Sequence, residues 1–346
     1  MDNLVNLTPF AVTALPSMDR SGAELLLVVL SARHRLPPAG RSALGGASPC
    51  EDQGEVRLTD EYWGDPATSS LRYEGQTAYT KPGTDIHLLG HAWAPGGRRT
   101  PQASLGLAVG SSQCLAVVFG ERYWTEGLGG LRPSAPKPFE RLPIIYERCF
   151  GGPSGPASSR IMEASERNPV GAGLVHSSRE ALGRPLPNFE DPRALVHGPG
   201  DLPRPVGFGP LGRHWRPRRD FAGTYDEAWV RTRAPVWPAD FDERFFCAAP
   251  PSLCASPPLG GGETVSIVGA HPDGAIAFVV PTLRSRVTLV LAGTRRSVPM
   301  AFDTLTIEPD DGVCTMTLRA ALPVGKALAR LESITVRLLE PWEAAA

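Results

Sequence analysis

The sequence predicts a mainly β protein: two antiparallel β-rich lobes, sandwich- or barrel-like, with a proline-rich irregular middle segment and few short helices. Three observations predict this fold. Short apolar runs recur between clusters of Gly, Pro and Ser, which is typical of sandwiches and barrels. The 346 residues include 37 glycines and 36 prolines, so turns are frequent. Hydrophobic residues make up 42 % of the chain, which is enough to bury a sizeable core and argues against disorder.

Residues 1–132 are predicted to form the N-terminal β lobe. The apolar run at residues 25–30 lies between Gly22 and two prolines, which predicts a strand buried on both faces, with a buried helix as the alternative. Further strands are predicted at residues 86–92, 103–109 and 114–119. The Gly-, Pro- and Ser-rich connections leave no room for long helices between them.

Residues 133–258 are predicted to be irregular chain packed onto the β scaffold. Prolines recur there every few residues, and each one fixes φ and removes a backbone N–H donor, so long helices cannot form. The same segment contains several Trp and Phe residues, whose large side chains gain most from burial. Short helices are predicted near residues 179–182 and 240–246.

Residues 259–346 are predicted to form the C-terminal β lobe. Strands are predicted at residues 264–268, 275–280, 286–291, 304–307, 313–318 and 334–339. Polar and apolar residues alternate in 313–318 and in 334–338, so these strands are expected to have one exposed face. The stretch 321–333 between them is predicted to contain a short helix.

Charge and targeting signals exclude several functional classes. Lys and Arg total 35 while Asp and Glu total 36, so no net field attracts nucleic acid or an anionic membrane, and neither is expected as a partner. No basic N-terminal region precedes an apolar segment, and no apolar run approaches the ~20 residues of a membrane-spanning helix. We therefore expect a cytoplasmic protein. The six cysteines have no CxxC spacing, and most are expected to be reduced and buried.

The sequence lacks the common motifs for cofactors and nucleophiles. It contains no GxSxG elbow, no Walker A loop and no GxGxxG that opens a helix after a strand, so no cofactor is expected. One metal candidate remains in DIHLLGH, where Asp85, His87 and His91 would share one side of a continuous strand. Strand-surface histidines without a metal are the alternative.

Carboxylates near aromatic residues in the second half make a hydrolase worth considering. The candidates are Asp226, Asp240, Asp242, Glu243 and Glu263. A glycosidase places two such carboxylates, an acid and a base, around the bond that it cleaves. The structural alternative is that Asp240 and Asp242 cap a short helix or pair with Arg244 and nearby arginines.

A cluster of arginines around one tryptophan is the strongest local concentration of charge. Its members are Arg213, Trp215, Arg216, Arg218 and Arg219. Arginine and tryptophan dominate the hot spots of protein interfaces, so we predict that this cluster binds a protein partner. The alternative is internal pairing with the aspartates that follow it, in a polar structural network.

Motifs along nearly the whole chain occur in the order of a known family. They are KPGTDIHLLGHAWAP (81–95), YERCFGG (146–152), NPVG (168–171), RPVGFGP (204–210), W-x-x-R (215–218), GTYDEAW (223–229), PADFDERFFCAAP (238–250), LGGGETVSIVG (259–269) and FDTLTIEPD (302–310). In these motifs the chain resembles the domain-of-unknown-function family encoded beside type VI secretion spike and toxin genes. Cys149 and Cys247 depart from it, since alanine and asparagine are more usual there.

The resemblance implies a non-enzymatic adaptor or chaperone that acts in the cytoplasm of the producing bacterium. Its expected partners are a secreted toxin with a PAAR-type domain and the VgrG-type spike onto which the toxin loads. The alternatives are a hydrolase acting on carbohydrate or another polar substrate, and a structural component carried with the spike. The family has no agreed catalytic residues that could be transferred to this chain.

The GTYDEAW motif has a predicted structural role. Gly223 is expected to adopt a turn conformation, while Tyr225 and Trp229 pin one turn of chain onto the β core. Asp226 belongs to the same motif.

The PADFDERFF motif is predicted to form a capped turn. Asp240 is expected to cap a short helix that buries Phe241 and Phe245, and Asp242 lies in the same segment.

Overall fold

The computed structural model describes residues 3–41, 44–155, 163–340 and 343, and strands dominate it. In chain order the strands are β1 (Leu4–Asn6), β2 (Ala11–Met18), β3 (Glu24–Arg35), β4 (Gly45–Gly46), β5 (Ser48–Pro49), β6 (Glu61–Tyr62), β7 (Leu71–Tyr73), β8 (Thr84–Leu88), β9 (His91–Trp93), β10 (Gln102–Val109), β11 (Ser112–Phe119), β12 (Trp124–Gly127), β13 (Gly130–Pro133), β14 (Arg141–Pro143), β15 (Phe150–Gly151), β16 (Pro153–Ser154), β17 (Glu163–Ala164), β18 (Ala172–Gly173), β19 (Phe189–Glu190), β20 (Cys254–Ala255), β21 (Thr264–Val268), β22 (Ile276–Val279), β23 (Ser285–Leu291), β24 (Thr294–Pro299), β25 (Ala301–Glu308), β26 (Val313–Pro323) and β27 (Leu331–Leu338). The prediction of a mainly β protein is confirmed.

Helical segments are few and short, as predicted. The α-helices are α1 (Ser178–Ala181) and α2 (Glu227–Thr232). The 3₁₀ turns are Pro95–Gly97, Tyr146–Arg148, Arg218–Phe221, Glu243–Phe246, Pro251–Leu253, Pro309–Asp311 and Gly325–Arg330. The helix predicted near residues 179–182 is α1, and those predicted in 240–246 and 321–333 are 3₁₀ turns. Within the described part of the chain, every helix is too short or too polar to cross a lipid bilayer.

The largest sheet, here called the central sheet, has the strand order β2-β3-β26-β25-β8-β20, with β5 paired to β3. Its pairs are antiparallel except for β25 and β8, which run parallel. The register places Thr317 opposite Ser31, and Thr304 opposite Asp85. One face of this sheet therefore carries a row of polar side chains.

Two further sheets complete the framework, with the orders β19-β11-β10-β21-β22-β4 and β1-β27-β23-β24. All three combine strands from before residue 132 with strands from after residue 259. The segment boundaries predicted at residues 132 and 258 therefore do not separate sheets, because N- and C-terminal strands pair with each other.

The apolar runs form the strands that the sequence predicts, with one exception. Residues 25–30 lie inside β3, where the leucines and valines are buried. The strand predicted at residues 86–92 is divided into β8 and β9, because the chain turns at Gly90 with φ +123°. Glycine tolerates that backbone conformation and other residues do not.

One large apolar cluster joins all three segments of the chain. It includes Leu26 and Leu105 from the N-terminal segment, Phe208 from the middle, and Leu305 and Ile334 from the C-terminal segment. The proline-rich middle segment is thus packed onto the β framework.

The polar face of the central sheet is buried, which corrects the prediction of an exposed face at residues 313–318. Met316 enters the apolar core, whereas Thr315 and Thr317 on the opposite face are 9 % and 5 % exposed. Tyr73 and Glu74 line a cavity together with both threonines, so a further layer of chain covers this face. Alternation alone does not distinguish a face in water from a face covered by another polar layer.

Candidate functional site

The arginine cluster of residues 213–219 is divided between the surface and the interior. The side chains of Arg213, Arg216 and Arg219 are 46 %, 44 % and 41 % exposed. Trp215 and Arg218 are 2 % and 1 % exposed. The prediction that all five residues bind a partner is therefore corrected for these two, which do not reach the surface.

Arg218 belongs to a buried ionic network. Its Nη2 donates to Glu74 Oε1 at 2.5 Å, and its Nη1 and Nε donate to the carbonyl oxygens of Leu211 and Phe245 at 2.6 Å and 3.0 Å. Glu74 also accepts from Lys81 Nζ at 3.4 Å. Arg218 thus pairs internally, although with Glu74 rather than with the aspartates that follow it in sequence.

Lys81 extends the network along the polar face of the central sheet. Its Nζ donates to Asp85 Oδ2 at 2.7 Å and to Thr304 Oγ1 at 3.2 Å. Thr304 in turn donates to Asp303, which forms an ion pair with Arg319. The buried ionic network comprises three carboxylates and three cations: Glu74, Asp85, Asp303, Lys81, Arg218 and Arg319. Its formal charges balance.

Three members of this network, Glu74, Asp85 and Lys81, have pKa values that favour their charged forms. Burial raises the pKa of Glu74, but the attraction of Arg218 and Lys81 lowers it by more, so this pKa lies below its usual range. Burial likewise raises the pKa of Asp85, but Lys81 and further contributions, which include the hydrogen bond from the Ala249 N–H, together lower it below its ordinary value. Burial lowers the pKa of Lys81, but its two carboxylate neighbours raise it above the ordinary value. Removal of one partner would leave an uncompensated buried charge.

His87 lies beside this network and is neutral. It is 5 % exposed, and burial lowers its pKa to about 4 even though Asp85 favours the protonated form. Among the described residues its Nδ1 has no hydrogen-bond partner. It lines a cavity of about 30 Å³ together with Glu74, Lys81 and Thr306. A polar cavity of that size admits one or two water molecules.

An open cleft of about 710 Å³ adjoins this cavity, and Tyr73, Arg57 and Arg72 line both. The Tyr73 hydroxyl donates to Glu308, and the Arg57 guanidinium lies 3.8 Å from the centroid of the Tyr73 ring. The Arg72 guanidinium lies 4.6 Å from the Trp63 ring centroid, and its buried Nε has no described partner. The cleft therefore leads from solvent toward the polar interior.

The candidate metal site of Asp85, His87 and His91 does not form among the described residues, because the three side chains do not converge. Asp85 belongs to the ionic network and His87 lines the cavity. His91 lies beyond the turn at Gly90, and its Nδ1 is 2.7 Å from Asp310 Oδ2. The prediction required one continuous strand, and the structure has two.

Two thiols lie next to Asp85. β20 pairs Cys254 with Asp85 of β8, and Cys247 follows the 3₁₀ turn Glu243–Phe246. One ligand atom from each of the three side chains lies within 4.8 Å of the other two. A hydrogen bond between the thiols raises the pKa of Cys247 and lowers that of Cys254. Both cysteines are free.

The GTYDEAW motif stabilises its own loop rather than the β core. Gly223 has φ +80°, as expected for a turn, and Asp226 caps α2 by accepting from the Trp229 N–H at 2.8 Å. Tyr225 packs on Trp229 with ring centroids 4.7 Å apart but is 51 % exposed. The Trp229 Nε1 donates to the Val236 carbonyl at 2.8 Å. The predicted contact with the β core is therefore corrected to a local contact.

The PADFDERFF motif forms the predicted capped turn, but with a different cap. Asp242 accepts from the Arg244 N–H at 2.9 Å and caps the turn Glu243–Phe246. Asp240 instead accepts from the Thr224 N–H and hydroxyl at 3.0 Å and 2.8 Å, which joins this motif to the GTYDEAW loop. Phe241 is 2 % exposed, whereas Phe245 is partly exposed.

A surface groove of about 230 Å³ lies beside the exposed arginines. Its lining residues are Phe150, Ser165, Glu166, Arg167, Leu174, Leu202, Pro203, Arg204 and Arg216. Leu202 is 67 % exposed, and Glu166, the one carboxylate among the described lining residues, already pairs with Arg216 and Arg219. This arginine groove therefore combines an apolar wall with a positive charge.

Comparison with known proteins assigns a family. Residues 21–319 match the family described as "Uncharacterized protein conserved in bacteria (DUF2169)". The chain belongs to the DUF2169 family. No curated protein and no solved structure matches it.

In this DUF2169 chain, sequence reasoning missed four members of the buried ionic network: Glu74, Lys81, Asp303 and Arg319. Two signals pointed toward it. Lys81 and Asp85 are four residues apart within KPGTD, and polar Thr304 and Thr306 alternate with apolar residues in FDTLTIEPD. The positions of Glu74 and Arg319 depend on long-range packing.

Proposed function

We propose that this protein is a non-enzymatic adaptor that binds a secreted toxin with a PAAR-type domain and helps to stabilise it or to load it onto a VgrG-type spike. The motif resemblance supports this role. The structural observation that carries the proposal is the arginine groove, an accessible surface that is both apolar and positively charged.

The composition of the groove indicates the chemistry of its occupant. Leu202 and Pro203 offer apolar contacts, while Arg167 and Arg204 offer forked donors to carboxylates. Interfaces commonly combine an apolar centre with a charged rim. The occupant is therefore an acidic segment of the toxin that carries an apolar side chain. Binding stabilises the folded toxin by mass action, in proportion to affinity and adaptor concentration.

The hydrolase alternative has less support, because its candidate carboxylates have structural partners. Asp226 and Asp242 cap helical turns, and Asp240 holds a loop. Glu243 accepts from the Tyr79 hydroxyl at 2.9 Å, and Glu263 accepts from the Gly260 N–H at 2.8 Å. The alternative of a structural component predicts that the protein leaves the cell together with the spike, whereas a loading adaptor stays behind.

Two substitutions in the groove test the adaptor proposal. Leu202→Asp and Arg204→Glu change exposed side chains, so the fold is expected to remain intact. Each is expected to reduce recovery of the PAAR-domain toxin with the tagged protein by about tenfold or more, as for an interface hot spot. Arg295→Glu, an equivalent charge reversal on the exposed strand β24, is the matched control and retains the toxin. Wild-type recovery by both groove variants would contradict the proposed surface.

A further inference from the structure

The pairing of β20 with β8 brings two cysteines and a carboxylate together. Cys254 stands opposite Asp85 across this strand pair, and Cys247 approaches from the end of the preceding 3₁₀ turn. The two sulfur atoms and a carboxylate oxygen all lie within 4.8 Å of one another. Asp85 is fully buried, and Cys254 is partly exposed, so an ion reaches this cluster from the Cys254 side.

Asp85 has one electron pair to spare for a further ligand. Its Oδ2 already accepts from Lys81 Nζ at 2.7 Å and from the Ala248 N–H at 2.8 Å, which uses both lone pairs of that oxygen. Its Oδ1 accepts a single described hydrogen bond, from the Ala249 N–H at 3.0 Å. Lys81 and the two backbone groups fix the carboxylate orientation, as outer partners do in metal sites.

We propose that Cys247, Cys254 and Asp85 bind one thiophilic divalent cation of the zinc group, with a water molecule as the fourth ligand. Sulfur ligands select Zn²⁺ and its heavier congener Cd²⁺ over Mg²⁺ or Ca²⁺. Two thiolates and one carboxylate against a divalent cation leave one negative charge, which Lys81 balances. Binding converts two thiols and one cation into two metal–sulfur bonds and two released protons.

The geometry requires small movements. Zinc–sulfur bonds of about 2.3 Å at a tetrahedral angle place two sulfur atoms about 3.8 Å apart. The ligand atoms lie within 4.8 Å, so closure by roughly an ångström completes the site. Rotation of the partly exposed Cys254 side chain supplies movement on this scale.

Titration of the full-length, reduced protein with Cd²⁺ tests the proposal, because cadmium–thiolate bonds give an ultraviolet charge-transfer band. We expect the band to saturate at one ion per chain and to decrease when excess Zn²⁺ competes for the same ligands. Cys247→Ser and Cys254→Ser are each expected to abolish the band or to weaken binding by at least about tenfold. Cys114→Ser, which changes a partly buried thiol that lies outside the cluster, is the matched control and retains the band. Circular dichroism verifies the fold of each variant.

The pH dependence gives a second readout. Because two protons leave, the apparent Kd is expected to fall by up to about 100-fold for each unit rise in pH while both thiols are protonated. Absence of a saturable band in the wild-type protein would overturn the proposal, and so would a wild-type band in both serine variants. If the serine variants do not fold, the proposal is tested by the stoichiometry of Cd²⁺ binding to the wild-type protein and by the pH dependence of its Kd.

Discussion

Replacement of Arg218 by alanine removes a charge that the fold needs in its interior. Arg218 is 1 % exposed and donates to Glu74 and to two backbone carbonyl oxygens. Breaking a buried ion pair from one side costs about 3–5 kcal/mol, because the partner charge remains buried. The entropy of unfolding is about 2.1 cal/mol/K per residue, taken over 346 residues. Division of the lost free energy by this entropy gives an expected decrease in Tm of about 4–7 °C.

Arg219→Ala is the matched control for this substitution. Arg219 follows directly in sequence and also pairs with a glutamate, but it is 41 % exposed and its partner Glu166 is 50 % exposed. Exposed pairs contribute little, since solvent screens both charges. Urea unfolding followed by tryptophan fluorescence, together with a thermal scan, compares the two variants. Equal stability of the two would refute the assignment of Arg218 to a buried ionic network.

Three further predictions concern other buried groups. The pKa of His87 is lowered to about 4, so the folded state loses up to about 3 kcal/mol of stability as pH falls from 6.5 toward 4. His87→Gln is expected to remove this loss, as measured by urea unfolding at a series of pH values. The pKa of Tyr73 is raised to about 12, so the stabilisation that its protonated hydroxyl provides is present below pH 10 and is lost between pH 10 and 12. Tyr73→Phe is expected to remove one phenol that titrates late when ultraviolet absorbance is followed against pH. Gly207→Ala would place a methyl group 2.2 Å from the Tyr146 ring and is expected to lower the free energy of unfolding in urea by about 1–3 kcal/mol. Gly209→Ala is the control and should be tolerated, because the nearest atom to its added methyl group lies at 3.4 Å.

The strands were predictable because local patterns determine them. The apolar run at residues 25–30 lies within β3, and the run predicted at residues 264–268 coincides with β21. The exposure of each strand face was not predictable in the same way. The alternating pattern predicts that Thr315 and Thr317 lie on an exposed face, but the segment that carries Tyr73 and Glu74 covers them. The alternation of polar and apolar residues shows which face of a strand is polar. Whether that face is buried depends on which other segments of the chain pack on it.

The roles of individual site residues depend on contacts between distant segments. Arg218 and Arg219 are equivalent in sequence, but Glu74 lies within reach of Arg218 only after strand β7 has packed over the central sheet. Asp85 was a candidate metal ligand together with two histidines of its own motif. The turn at Gly90 separates it from His91, and a strand pair brings it to Cys254.

Co-purification from cells that are assembling a type VI secretion system is the decisive test of the proposal that this protein is a toxin-loading adaptor. The tagged wild-type protein would be isolated at moderate salt and the proteins that remain bound identified by mass spectrometry. The adaptor account predicts recovery of a PAAR-domain toxin or a VgrG-type spike protein, and lower toxin abundance when the adaptor gene is deleted. Recovery of neither protein, with toxin abundance and secretion unchanged in the deletion strain, would contradict it.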